Sequence, residues 1–289
     1  MNKLNFAFWG TPDVASETLE ILKQAGYFPS LIVTSPNKPQ GRKMIVTPPP
    51  VRVWAEKNNV PFLQPEKLDE EFTNKLQAIS YELFIVVAYG KIMPEKIINL
   101  PELGSINIHY SLLPKYRGAS PVESAILNGD TETGVTIQKM ENKLDSGDII
   151  AQEKTDIFPG EKAPELRERL IKLGGELLIK FLNTPSASST SPYVGGGWVG
   201  VPQDESQASI CRKIKKEDGL IDPNGDAIKN YNKFRAYAGW PRIFFFQSGK
   251  RVIITDAELA DGKFIIKKVL PEGKKEIKYE EFMKARPSI

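Results

Sequence analysis

Residues 105–121 read SINIHYSLLPKYRGASP, and they contain Asn107 and His109, the latter the single histidine of a 289-residue chain. SINIH alternates as a strand does, so Asn107 and His109 are expected to point the same way. Both side chains can donate hydrogen bonds to an oxyanion. Downstream, GVTIQKM (134–140) reads as another strand, and NKLDSGDII (142–150) turns through Asp145, Gly147 and Asp148. Alone, a solitary histidine is more often a satisfied structural side chain. Paired with Asn107 and a downstream acid, it gains a chemical reading. A carboxylate such as Asp145 can fix the imidazole tautomer and raise its pKa by roughly 1–3 units, which predicts an imidazolium near neutrality. No serine or cysteine stands in a recognisable nucleophile setting, and the only cysteine, Cys211, lies far along the chain. Covalent acyl-enzyme chemistry is therefore not indicated. The set suits direct attack by a substrate's own nucleophile on a carbonyl whose developing charge the protein stabilises.

The elements that must hold these residues follow from the first third of the chain. LNFAFWG (4–10), SLIVTS (30–35) and LFIVVAYG (83–90) read as buried strands, whereas Val14–Lys23 and 51–59 carry helical spacing. This alternation predicts an α/β fold with a Rossmann-like open twisted sheet. Function in such sheets sits beyond the carboxyl ends of the strands. The first turn, Gly10-Thr11-Pro12, lacks the three glycines of a dinucleotide fingerprint, which argues against a nicotinamide enzyme. Residues 34–50, TSPNKPQGRKMIVTPPP, form a proline-rich loop with five prolines. A loop of that length is either disordered or functional.

Residues 184–203, rich in Ser, Thr, Gly and Pro, are expected to link a catalytic domain (1–183) to a smaller β-rich domain (204–289). FFFQ, KRVIIT, KFIIKKV and KEIKY supply the strands of the second domain, with one helix near 225–237. From Glu205 onward there are 18 basic and 12 acidic residues, a net +6, against 21 and 24 before it, a net −3. A basic C-terminal region suits a polyanionic partner, although a lysine-rich solvated surface explains the charge equally well. The start MNKLNFAFWGTPDV lacks the pattern of a signal peptide, so none is expected, and no apolar run is long enough for a membrane helix. One cysteine and one histidine exclude a disulfide within the chain and the usual zinc sites, and a cytoplasmic setting without a metal is expected.

The whole set of motifs resembles the folate-dependent formyltransferases. These are Asn107-Ile-His109, Ser111-Leu112-Leu113-Pro114, Arg117-Gly118, Asp130-x-x-x-Gly134-Val-Thr-Ile and Leu144-Asp145-Ser-Gly-Asp148. The resemblance implies that Asn107, His109 and Asp145 form the catalytic trio. It also implies that Ser111, Leu112, Leu113 and Pro114, with the turn around Asp145, line the pocket for the formyl donor, 10-formyltetrahydrofolate. Phe8-x-Gly10-Thr11-Pro12, Val86-Val-Ala-Tyr-Gly90, Pro202-Gln-Asp-Glu-Ser206 and Lys213-Ile-x-Lys-Glu-Asp-Gly219 are similar to the branch of the family acting on charged initiator tRNA. On that resemblance the C-terminal domain is an OB-like tRNA-binding barrel, Arg42 and Lys43 of the proline-rich loop contact the tRNA, and the protein is a monomer. Two features depart from the pattern. The basic run Gly41-Arg42-Lys43-Met44 is short, and DGK (261–263) replaces further strands expected there, which predicts a truncated barrel. The alternatives are a sibling that formylates an amino-sugar nucleotide and a non-catalytic RNA-binding protein on the same scaffold.

Overall fold

A computed structural model describes residues 4–41, 43–184, 193–194, 197–198 and 200–284. The chain divides into two compact units. The first is built from the segment up to Arg117, Gly134–Lys154 and Arg169–Ser209; the second from Gly118–Thr133, Thr155–Glu168 and the segment from Ile210 onward.

The first unit is organised by a seven-stranded sheet: β1 (Phe6–Gly10), β2 (Leu31–Val33), β3 (Phe62–Leu63), β4 (Leu83–Val87), β5 (Ser105–His109), β6 (Glu132–Lys139) and β7 (Ile149–Asp156). Their order is β7-β6-β5-β4-β1-β2-β3. β1 pairs in parallel with β2 and β4, β2 with β3, and β4 with β5, whereas β5 and β6 are antiparallel. Every residue of β1 and β4 is buried, as expected for apolar, β-branched or aromatic strands covered on both faces. Trp9 is fully buried and stands edge-on to Phe72 and Tyr89 at centroid distances of 6.1 and 5.2 Å, anchoring a cluster with Phe84, Leu76 and Ile97. After β1, helix α1 (Asp13–Gln24) buries Ala15, Thr18, Leu19 and Leu22, the one-sided spacing of an amphipathic helix.

The chain runs from β1 outward to β3 and then returns to place β4 on the other flank of β1. That reversal is the switch point where ligands bind in open α/β sheets, outside the carboxyl ends of the strands. The Thr11 hydroxyl donates to the Tyr89 carbonyl at 2.9 Å, tying the loop after β1 to the loop after β4. His109 is the last residue of β5, on the same edge.

The proline-rich segment is ordered as a hairpin. Lys38–Gln40 pairs antiparallel with Ile45–Thr47, and helical structure resumes at Pro50. Arg42 lies outside the described residues. Lys43 is exposed in the hairpin turn, and beside it Met44, Ile45 and Val46 are all more than 60% exposed. Much of the 184–203 segment (185–192, 195–196 and 199) also lies outside the described residues.

The second unit contains a four-stranded antiparallel sheet whose strands follow chain order: β8 (Phe244–Gln247), β9 (Lys250–Ala260), β10 (Lys263–Pro271) and β11 (Ile277–Lys278). β9 and β10 are joined by Asp261 and Gly262, both at positive φ (49° and 71°), the geometry of a two-residue hairpin turn matched to strand twist. This turn spans the DGK region of the sequence. The described strands make an open meander rather than a longer barrel wall. The helix Ala227–Ala236 packs on β9 and β10, with Phe234, Val252, Ile254 and Val269 buried. Among the described residues no helix is long and apolar enough to cross a membrane.

Candidate active site

His109 is 5% exposed. Its Nε2 lies 2.8 Å from the Tyr116 carbonyl oxygen. A carbonyl only accepts, so Nε2 carries the proton and donates. In the neutral ring Nδ1 therefore holds the lone pair, and it faces Asp145 Oδ2 at 3.6 Å. Burial pushes the His109 pKa below its ordinary 6.5, against smaller upward pulls from the Asp145 carboxylate and the Tyr116 carbonyl. The expectation of an imidazolium near neutrality is thus reversed for the free protein. The spacing that suggested it places a carboxylate nearby, but only the packed core shows how completely the ring is desolvated.

Asn107 is half-buried and its side chain makes no hydrogen bond among the described residues. In the register of β5 on β6, Asn107 is paired with Gln138 and His109 with Thr136. Directly paired residues share a face of the sheet, so all four side chains project together. Gln138, 2% exposed, donates from Nε2 to Asp145 Oδ1 at 2.9 Å. Asn107, His109 and Asp145 are thereby brought to one place, with Gln138 as the bridge.

Asp145 itself sits at φ +48° and Tyr116 at φ +62°, left-handed conformations that are uncommon outside glycine. Each residue bears directly on one ring nitrogen of His109, so both turns are held by surrounding bonds. The Asp145 turn folds tightly onto β6 because Gly147 has no Cβ; a Cβ there would collide with the Lys139 carbonyl. The Lys139 amide donates to the Asp148 carbonyl at 2.9 Å and closes the loop.

The Ser111–Pro114 turn is pinned from below. Thr136, fully buried, donates its hydroxyl to the Ser111 carbonyl at 2.7 Å and accepts from the Leu113 amide at 3.2 Å. Gln152 donates to the Leu113 carbonyl at 3.1 Å and to the Thr136 hydroxyl at 2.8 Å. The Leu113–Pro114 peptide is cis. The Ser111 hydroxyl is buried and donates to the Lys115 carbonyl at 2.6 Å, so Ser111 shapes this turn internally. Leu112 is half-buried at its edge. The turn follows directly on β5, which carries Asn107 and His109, and the Asp145 loop follows on β6.

Gln138, Thr136, Gln152 and Tyr116 are not singled out by the sequence. Their only signal is position: Thr136 and Gln138 within the strand GVTIQK, Gln152 on β7, and Tyr116 between Pro114 and Arg117. Lys43 lies in the turn of the 38–47 hairpin, and Arg42 lies outside the described residues.

The chain belongs to the formyl transferase family: the formyl transferase domain model matches residues 2–182, and the model for the C-terminal domain of formyl transferases matches residues 213–265. Among curated relatives, it is 40% identical to a methionyl-tRNA formyltransferase of Caldicellulosiruptor saccharolyticus over 89% of this chain and 80% of the relative. It is 43% identical to a methionyl-tRNA formyltransferase of Thermotoga maritima over 82% of this chain and 74% of the relative. In fold it is similar to WlaRD, a sugar 3N-formyl transferase whose structure was solved in the presence of dTDP and 5-N-formyl-THF. That match has a TM-score of 0.66 and 18% identity, and covers 95% of this chain and all of the other.

Proposed function

We propose that the chain transfers the formyl group of 10-formyltetrahydrofolate to the α-amino group of methionine on charged initiator tRNA. The observation that carries the chemistry is the His109 ring, with one nitrogen locked to the Tyr116 carbonyl and the other beside Asp145. The identity of 40–43% to methionyl-tRNA formyltransferases over most of the chain carries the choice of acceptor.

Bound 10-formyltetrahydrofolate supplies an electrophilic formyl carbon attached to a nitrogen leaving group. As the acceptor amine attacks that carbon, the new C–N bond forms and negative charge grows on the formyl oxygen. Asn107, with its amide uncommitted, donates to that oxygen. His109, neutral with its lone pair on Nδ1, takes the proton released by the amine. The resulting imidazolium is stabilised by Asp145 on one side and by the Tyr116 carbonyl on the other. When the oxygen's charge collapses back to a carbonyl, the bond to the folate nitrogen breaks and His109 returns the proton to that nitrogen. His109 is therefore a proton carrier that starts neutral, rather than a standing cation. Ser111, Leu112, Leu113 and Pro114 form the turn on the folate side, and Arg42 and Lys43 meet the tRNA. We place the enzyme in the cytoplasm as a monomer.

The test is incubation with 10-formyltetrahydrofolate and charged initiator tRNA, followed by detection of formyl-methionine. Product on an amino-sugar nucleotide, with none on the tRNA, would overturn the acceptor and retain the chemistry. Tight RNA binding without formyl transfer to either acceptor would overturn the enzyme reading.

A further inference from the structure

Residues 201–209 lie at the end of a segment whose composition reads as a linker, yet Val201, Gln203, Glu205 and Ser209 bond to β7 and to the two loops that hold His109. The Val201 amide and carbonyl pair with Ile149 at 2.8 and 2.9 Å. Gln203 donates from Nε2 to the Asp145 carbonyl at 2.9 Å and the Gly147 carbonyl at 2.7 Å, and lies 3.4 Å from Gln138 Oε1. Its own Oε1 accepts from Arg117 Nε at 3.0 Å and from Arg117 Nη2 at 2.8 Å. Arg117, only 4% exposed, completes its fork on the Glu205 carboxylate at 2.8 and 3.1 Å. Ser209 accepts the Tyr116 amide on its hydroxyl at 2.8 Å and the Arg117 amide on its carbonyl at 2.8 Å, and donates its own amide to the Pro114 carbonyl at 3.2 Å.

These bonds form a circuit that is closed by the 3.6 Å approach of Asp145 Oδ2 to His109 Nδ1. From His109 it passes to the Tyr116 carbonyl, along the chain to Arg117, across to Gln203, into the Asp145 loop, and back to His109. Gln203 is the side chain that touches both halves, and a single primary amide is what the position needs. It must accept from a guanidinium on one atom and donate to two carbonyls with the other, which neither a carboxylate nor an ammonium can do. Asp145 and Tyr116 are both held at positive φ, so their placement depends on such external bonds.

We propose that Gln203 is a positioning residue for formyl transfer: it sets the separation of Asp145 from His109 by clamping the Asp145 turn to Arg117. This rests on the functional reading above, but one of its two tests does not. Because His109 is the only histidine, its imidazole NMR signal reports one site without assignment. Asp145 is the charged side chain acting on it, and the Tyr116 carbonyl is its other partner; Arg117, Lys143 and Glu205 belong to the clamp.

The full-length Gln203→Met variant keeps the size of the side chain and removes every hydrogen bond it makes. Its His109 titration midpoint should fall below that of the wild type, because Asp145 recedes and its upward pull weakens. Its kcat should fall about 10- to 100-fold with the KM for tRNA unchanged, the signature of misplaced catalytic groups. If Gln203→Met does not fold, Gln203→Asn is measured in the same way; its shorter amide cannot span all three partners, and the same two shifts are expected in smaller measure. A midpoint equal to that of the wild type in a folded variant overturns the proposal, whether or not kcat falls, since a merely structural role lowers stability without moving that titration. Absence of formyl transfer in the wild type would count against the function and leave the midpoint comparison standing.

Discussion

The Nε2 of His109 lies 2.8 Å from the Tyr116 carbonyl oxygen, and this bond decides which of its two nitrogens is available for chemistry. The nitrogen left over is Nδ1, 3.6 Å from Asp145 Oδ2. That distance is too long for a hydrogen bond and short enough for a strong charge interaction once the ring is protonated. The site is thus arranged to favour the imidazolium more in the course of the reaction than before it.

Removal of the oxyanion donor, Asn107, or of the proton carrier, His109, tests this arrangement most directly. Asn107→Ala and His109→Ala should each lower kcat by roughly 100-fold or more, equivalent to about 2.7–4 kcal/mol of transition-state stabilisation. Far-ultraviolet circular dichroism should be unchanged. Near-normal turnover by a folded variant would contradict the assigned roles.

The pH dependence follows from burial. The folded-state pKa of His109 lies below 6.5, with desolvation the dominant cause. The neutral ring is the working form, so kcat/KM should rise with pH along an acid limb centred below 6.5 and be flat through neutrality as far as His109 is concerned. The same shift bears on stability. The unfolded chain takes up the proton more readily, so the His109 contribution to stability is complete above pH 6.5 and declines as pH falls from there toward the folded pKa. An acid limb centred above 6.5 would restore the imidazolium as the resting form.

Gln138→Ala removes the 2.9 Å bond to Asp145 Oδ1 while sparing the three trio residues themselves. Turnover should drop by about 10-fold or more through misalignment of Asp145. The measurement is steady-state kinetics alongside a melting curve; loss of stability with kcat intact would place Gln138 in folding alone.

For the hairpin, neutralising Arg42 and Lys43 together should weaken tRNA binding and reduce the slope of log K against log salt by roughly 1 for each phosphate left unneutralised. Filter binding across a salt series reads this slope. An unchanged slope assigns both residues to the solvated surface.

Trp9 tests the frame beneath the site. It is fully buried between Phe72, Phe84 and Tyr89, with ring centroids 5.2–6.1 Å away. Trp9→Ala should cost about 3–5 kcal/mol of stability, read from denaturant unfolding, by leaving a large cavity in the sheet's core.

Much of this protein is written in local sequence, because local sequence carries periodicity, strand alternation and motif spacing. The buried apolar runs of β1 and β4, the strand SINIH and the α/β alternation follow from side-chain pattern alone. So does the placement of Asn107 and His109 on one face, since alternation along a strand needs no partner to be true. The family resemblance, too, lies in short motifs readable in order. Tertiary structure decided what depends on residues far apart in the chain. The antiparallel register of β5 on β6 sets Gln138 opposite Asn107 and lets it reach Asp145. Sequence misleads on the protonation of His109 because a neighbouring carboxylate is visible as a letter, whereas desolvation is a property of the assembled core. The proline-rich segment becomes a hairpin through cross-strand pairing that its composition conceals. Gln203, set in a stretch that reads as a tether, acquires its role only because folding brings Arg117 and the Asp145 turn to its two ends, 86 and 58 residues away in sequence.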